Sequence, residues 1–205
     1  MNAFLSLYLL VLWLYAATGR LDFRTKRVHG VMHEDLKPFL RRTTRADPHA
    51  NYTVYFAIQL LNIDSLEELL LRVSDPDSPN YSQHLSREEA GNWVKNEQAA
   101  NDVLAFLQYE QERHGYAMAI ERSLYDEYIW ATAPVWVWEG VFETYLYQFE
   151  HPQVHPVNLA RSAKKQVGCS QYSLPPALSA SVLAIFPLCN LSPPRSGNLH
   201  LSPLV

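Results

Sequence analysis

The hydrophobic period of the chain changes between Asn51 and Val73, and that change restricts the folds open to it. Val54, Phe56, Ile58 and Leu60 alternate with Tyr55, Ala57 and Gln59, the pattern of a strand with one buried face. From Asn62 the period turns helical. Ile63, Leu66, Leu69, Leu70 and Val73 share one face, Asn62, Asp64 and Ser65 are candidate caps, and Ser65-x-x-Glu68 matches a capping box. A strand running directly into an amphipathic helix requires layers of mixed type.

The same reading continues to residue 151. Asp75-Pro76 and Ser78-Pro79 stop the helix, because a residue before proline avoids the α region. Ser86-x-x-Glu89 is a second capping box, opening a short helix to Val94. A longer helix from Asn96 carries Ala100, Val103, Leu104 and Leu107 on one face and ends at His114-Gly115. Ala117–Arg122 and Glu127–Ala133 read as a hairpin. Pro134 opens a helix with an apolar stripe of Val137, Trp138, Val141, Phe142 and Tyr145. Leu146–Glu150 reads as the last strand. The order β-α-β-β-α-β predicts an α+β, ferredoxin-like (βαββαβ) fold, an antiparallel sheet with helices on one face.

The flanks read differently. Ala3–Ala17 is an apolar run of a signal peptide's length, short of the ~20 residues that span a membrane. Ala17 and Gly19 suit positions −3 and −1 of a cleavage site, so residues 1–19 are expected to be a signal removed after Gly19. Residues 20–46 form a basic, irregular N-terminal segment, and the domain occupies 47–151. Prolines 152, 156, 175, 176, 187, 193, 194 and 203 then break up the chain with no sustained period. Residues 152–205 are expected to be an irregular linker or tail, with at most a short helix over 176–186.

A signal peptide places the chain outside the cell or in a lysosome or vacuole, with no membrane attachment after its removal. Three sequons begin at Asn51, Asn80 and Asn190, each a weak sign of N-glycosylation. Cys169 and Cys189 are the only cysteines. In an oxidising compartment they pair with each other, or one of them pairs outside the chain.

Little in the sequence points to catalysis. The chain lacks a P-loop, G-x-G-x-x-G, G-x-S-x-G and H-E-x-x-H. The net charge of −4 offers no phosphate track, and no strand carries the aromatic pattern of an RNA-binding sheet, so nucleic acid is not an expected partner. His151 and His155 are four apart, but Pro152 and Pro156 oppose a helix there, and no metal site is expected. Glu67-Glu68 and Glu88-Glu89 are helix-start acids, not paired carboxylates. Trp130, Trp136 and Trp138 read as core, with Trp136 off the apolar stripe and open to an exposed docking role.

Specific strings carry a resemblance. Arg45-Ala46-Asp47-Pro48 precedes the first strand, and Val73-Ser74-Asp75-Pro76-Asp77-Ser78-Pro79-Asn80-Tyr81 is followed by His84-Leu85-Ser86-Arg87-Glu88-Glu89. Together they resemble the pro-kumamolisin activation domain, the pro-domain of sedolisins, which are acid-acting serine-carboxyl peptidases that include tripeptidyl-peptidases. Ile129–Val135 and Phe142–His151 are similar to the end of that domain, and Tyr172–Pro175 with Leu178, Val182 and Phe186 to its linker. Ser82 stands where the family carries glycine, and Asn96 where proline is common.

The resemblance implies a pro-domain that folds with its cognate sedolisin-type peptidase domain, inhibits it, and is removed at acid pH. It also implies that the serine motif and the calcium site belong to the catalytic domain. Neither falls within this chain, so no catalytic, cofactor or metal residue is carried over and no hydrolysis is expected from the chain itself. The expectation is a pro-domain truncated before its catalytic domain; the alternatives are a stand-alone secreted peptidase inhibitor or an unrelated ferredoxin-like protein-binding module.

Overall fold

The structure is a computed structural model that describes residues 21–34, 40–150 and 165–191. The expected signal peptide, its cleavage after Gly19 and the His151/His155 pair lie outside the described residues. Two short strands come first, β1 (Arg27–Val31) and β2 (Arg41–Arg45), ahead of β3 (Asn51–Ile58). β4 (Ala119–Arg122) and β5 (Tyr128–Pro134) follow as a hairpin, then β6 (Tyr147–Glu150), β7 (Gln166–Gly168), β8 (Gln171–Leu174) and β9 (Val182–Phe186).

β3 alternates as its sequence predicts, and that alternation builds the core. It is one of the two inner strands of a four-stranded sheet in the order β4-β5-β3-β9, with every neighbour antiparallel. Helices and antiparallel sheets together make the α+β class that was expected, consistent with a ferredoxin-like domain. Phe56 pairs with Ile129 on one side and Ile185 on the other, and all three are fully buried. Burying such side chains stabilises by roughly 1.5–3 kcal/mol each.

Among the described residues four α-helices connect these strands: α1 (Ile63–Ser74), α2 (Arg87–Val94), α3 (Glu97–His114) and α4 (Val135–Phe142). The Ser86/Glu89 capping box forms in full: Glu89 N–H donates to Ser86 Oγ at 3.2 Å, and Ser86 N–H donates to Glu89 at 2.8 Å. Asn96 caps α3 through Ala99 N–H, while its Nδ2 donates to Gln59 O at 2.8 Å and ties the helix start to the end of β3. Gly115 closes α3 in the left-handed conformation at φ 63. α4 starts at Val135, one residue past Pro134. Its first free N–H groups are satisfied from outside, with Val135 N–H donating to Ala50 O and Trp136 N–H to Pro48 O.

α3 and α4 cover the inner sheet face through Val103, Phe106, Leu107, Trp138 and Phe142. Trp138 stacks on Phe142 with ring centroids 5.5 Å apart and donates from Nε1 to Tyr52 O at 2.8 Å.

The expected Ser65/Glu68 box does not form. The N-cap of α1 is Asn62, left-handed at φ 54 and without a side-chain cap. The Ser65 hydroxyl is occupied elsewhere: it donates to Asn62 O and accepts from Trp93 Nε1. The apolar stripe of α1 is also largely open, and Val73 alone of its residues is buried.

Three expectations about the flanks are corrected. Leu146–Glu150 was expected to complete the main sheet; instead β6 pairs with β2 and β7 in a separate three-stranded sheet. The fourth strand of the main sheet is β9, from the segment expected to be an irregular tail. Residues 166–191 are instead built into the fold, as β7, β8, a 3-10 turn over Pro176–Leu178, and β9 where a helix was conceivable. The N-terminal segment likewise contributes strands, since β1 pairs with β8 and β2 with β6.

The prolines account for the misreading. Pro175 and Pro176 open the 3-10 turn, and Pro187 directly follows β9. They bound elements of three to five residues, too short to show a period, rather than interrupting longer ones. The result is a second layer over α4, in which Tyr172 of β8 packs edge-on against Phe142 with ring centroids 5.7 Å apart.

Candidate functional site

The side chains of β3 that do not enter the core define the open face of the sheet. Tyr55 stands at its centre. Its register partners are Trp130 on β5 and Phe186 on β9. The Tyr55 and Trp130 rings lie 6.0 Å apart. Tyr128 pairs with Ala57, which pairs on its other side with Ala184, so small residues separate the aromatic ones. Tyr55, Tyr128 and Phe186 are 42%, 47% and 38% exposed, large values for aromatic residues within a sheet. Thr53 and Thr132 close one end of the face with a hydroxyl–hydroxyl hydrogen bond of 2.8 Å. At the β4 side Glu121 pairs with Trp130.

This constellation is aromatic and nearly uncharged. It suits burial against another protein surface, where aromatic residues concentrate binding energy. A second apolar surface lies on the first crossover, where Ile63, Leu70 and Leu71 of α1 are exposed together with Tyr81 and Trp93. The same helices expose acidic side chains, Asp64, Glu67 and Glu68 on α1 and Glu88 and Glu89 on α2. Contact with Ser86 holds the Glu89 carboxyl below the usual carboxylate range.

The tryptophans separate into distinct roles. Trp138 is core, Trp130 lies on the open sheet face, and Trp136 is 38% exposed, edge-on to His114 and Tyr116. Sequence reading missed Tyr55, Tyr128 and Phe186. An aromatic residue on the solvent side of an alternating strand was the available signal. Its adjacency to Phe186 depends on a pairing no local pattern encodes.

The sequons are separated on the surface. Asn51 is exposed at the start of β3, Asn80 is half-buried in the turn after α1, and Asn190 is exposed at the end of the described chain. Cys169 and Cys189 come together, both buried, with Sγ atoms 3.2 Å apart. Burial raises the hydroxyl pKa of Tyr52 and Tyr172 near this pair. Among the described residues no helix is long and apolar enough to cross a membrane.

Comparison with known proteins places these features in a family. The profile described as Pro-kumamolisin, activation domain, matches residues 40–191, which includes β9 and both cysteines. Aorsin of Aspergillus oryzae is 23% identical over 153 residues, 74% of this chain and 22% of the relative. Tripeptidyl-peptidase SED1 of Arthroderma otae is 31% identical over 108 residues, 52% of this chain and 16% of the relative. Human tripeptidyl-peptidase 1 is 39% identical over 51 residues, 25% of this chain and 9% of the relative. The chain therefore spans less than a quarter of the length of each of these sedolisin-family peptidases. Its profile match and its relatives agree that the chain belongs to the pro-kumamolisin activation domain family, the pro-domains of sedolisin-family peptidases.

Proposed function

We propose that this chain acts as the pro-domain of a secreted or lysosomal sedolisin-type serine peptidase, inhibiting and templating its cognate catalytic domain until acid pH releases it. The observation that carries this reading is the family match over residues 40–191 combined with an aromatic sheet face that is left open among the described residues. The peptidase domain is the occupant of the Tyr55, Trp130 and Phe186 face. The chain itself contributes binding and not hydrolysis, and it needs no cofactor; the family's calcium belongs to the catalytic domain. N-glycans at Asn51, Asn80 and Asn190 and a signal peptide removed after Gly19 accompany this route.

The inhibitory mechanism is burial of a preformed surface. The four-stranded sheet is held flat-side out by α3 and α4, so Tyr55 and its neighbours are ordered before contact and little entropy is lost on docking. Acid pH weakens the contact in this reading, the release that the family resemblance implies.

The test adds the purified chain to the catalytic domain of a sedolisin-family relative such as aorsin. Inhibition is expected, tighter at neutral than at acid pH, with no peptide hydrolysis by the chain alone. Failure to bind sinks the pro-domain reading, and equal affinity at both pH values sinks the acid release.

A further inference from the structure

Cys169 lies in the connection between β7 and β8, and Cys189 lies three residues beyond β9. Three separate contacts hold these segments in register. Cys169 N–H donates to Leu188 O at 3.0 Å. Gly168 lets the backbones approach so closely that a Cβ there would sit 2.4 Å from Leu188 O. Two residues before each cysteine, the Tyr52 hydroxyl reaches Val167 O at 2.8 Å and Pro187 O at 2.9 Å. The sulfurs meet at 3.2 Å as a consequence, in a pocket where Cys169 is 0% and Cys189 1% exposed.

We propose that Cys169 and Cys189 are a disulfide site, closed as the chain folds, that locks β9 and thereby the edge of the docking face. The chemistry is thiol–disulfide exchange with an oxidant of the disulfide class, such as oxidised glutathione. One cysteine thiolate attacks the oxidant and expels a thiolate, forming a mixed disulfide. The second cysteine thiolate attacks the cysteine sulfur of that bond, closing Cys169–Cys189 and releasing the second thiolate. The two protons of the cysteines pass to solvent, and the two electrons pass to the oxidant.

The folded, reduced pair is a poor substrate for this exchange. Its sulfurs are shielded from solvent, and contact with Cys169 together with burial raises the Cys189 thiol above its ordinary value. Closure therefore belongs to folding. The bond links positions 20 apart and so joins the β7–β8 connection to the end of β9 across a closed loop.

The chain is refolded from the reduced state in a glutathione redox buffer, then denatured, alkylated and weighed. The expected product is a monomer lighter by two hydrogen atoms, with no alkyl group added and a peptide pair joining Cys169 to Cys189. It melts roughly 5–10 °C above the same protein kept reduced. The reduced, folded protein takes up no alkylating reagent until it is unfolded. Two alkylatable thiols after refolding, glutathione adducts or disulfide-linked dimers overturn the site. Oxidised protein that melts with the reduced form, or with the double variant Cys169→Ala and Cys189→Ala, overturns the lock. The mass measurement needs no variant, and no step involves a peptidase, so its outcome is independent of the docking experiment.

Discussion

Lys26 Nζ lies 2.7 Å from Glu110 Oε1, with both side chains fully buried. The same ammonium donates to Val141 O at 2.6 Å. One buried cation therefore joins the N-terminal segment, α3 and the end of α4, where a helix leaves its last carbonyls free. Removing Glu110 leaves the Lys26 ammonium buried without a counter-charge among the described residues, and removing Lys26 leaves the Glu110 carboxylate buried with only the longer contacts to Arg113 at 3.5 Å and His114 at 3.2 Å. Lys26→Ala or Glu110→Ala is expected to cost about 3–5 kcal/mol in urea denaturation. The paired change Lys26→Met with Glu110→Leu is expected to cost less than either single variant, since it leaves no uncompensated charge.

His114 faces the same carboxylate, with Nε2 3.2 Å from Glu110 Oε2. Its ring also packs where a Cβ on Gly140 would stand. Burial lowers its pKa below 6.5, against the pull of Glu110 and with the push of Arg113 and Lys26. Below pH 6.5 the unfolded chain then takes up a proton that the folded chain does not, so the contribution of His114 to stability falls as pH falls and levels off below its folded pKa. Denaturation midpoints of wild type and His114→Asn, compared from neutral to mildly acid pH, are expected to show a shallower acid decline in the variant. Parallel curves would refute this.

Sequence reading succeeded where the determinants are local. Ser86 and Glu89 make a capping box because both halves lie within one turn. Gly115 ends α3 because the residue there must be left-handed. The hairpin pairing of β4 with β5 follows from proximity in the chain. It failed where the partner is remote. Ser65 has its hydroxyl engaged by Trp93, 28 positions away. Tyr55 is followed in the sheet by Phe186, and nothing in the pattern of β3 selects β9 over β6. The aromatic face was thus half legible: Tyr55 and Trp130 lie on strands the alternation revealed, whereas Phe186 lies in a stretch whose prolines resemble those of a linker.

Ser82 occupies the left-handed region at φ 62, and its N–H donates to Val73 O at 2.9 Å. The turn glycine of the family signature is thus required by the backbone here, and serine holds it against a steric cost. Ser82→Gly is expected to stabilise the unglycosylated protein by about 0.5–1 kcal/mol, the left-handed penalty less the entropy that glycine adds to the unfolded chain. Ser82→Ala should give no such gain. Bacterial expression separates this from loss of the Asn80 sequon, and denaturation midpoints read the result.

The open sheet face and the exposed α1 surface make different predictions for binding. Tyr55 sits between Trp130 and Phe186 in the register of the sheet, at the centre of its patch, where anchoring residues of interfaces concentrate. Leu70 and Leu71 are more exposed, at 58% and 65%, but they lie on a helix that also exposes acidic side chains. If the sheet face docks on the peptidase domain, Tyr55→Ser should weaken inhibition at neutral pH by roughly thirtyfold or more, the cost of losing about 2 kcal/mol of contact. Its effect on folding should stay near the 0.2–1 kcal/mol of a cross-strand pair. Leu70→Ser with Leu71→Ser should leave inhibition within about threefold of wild type. The reverse ranking would move the docking surface to α1.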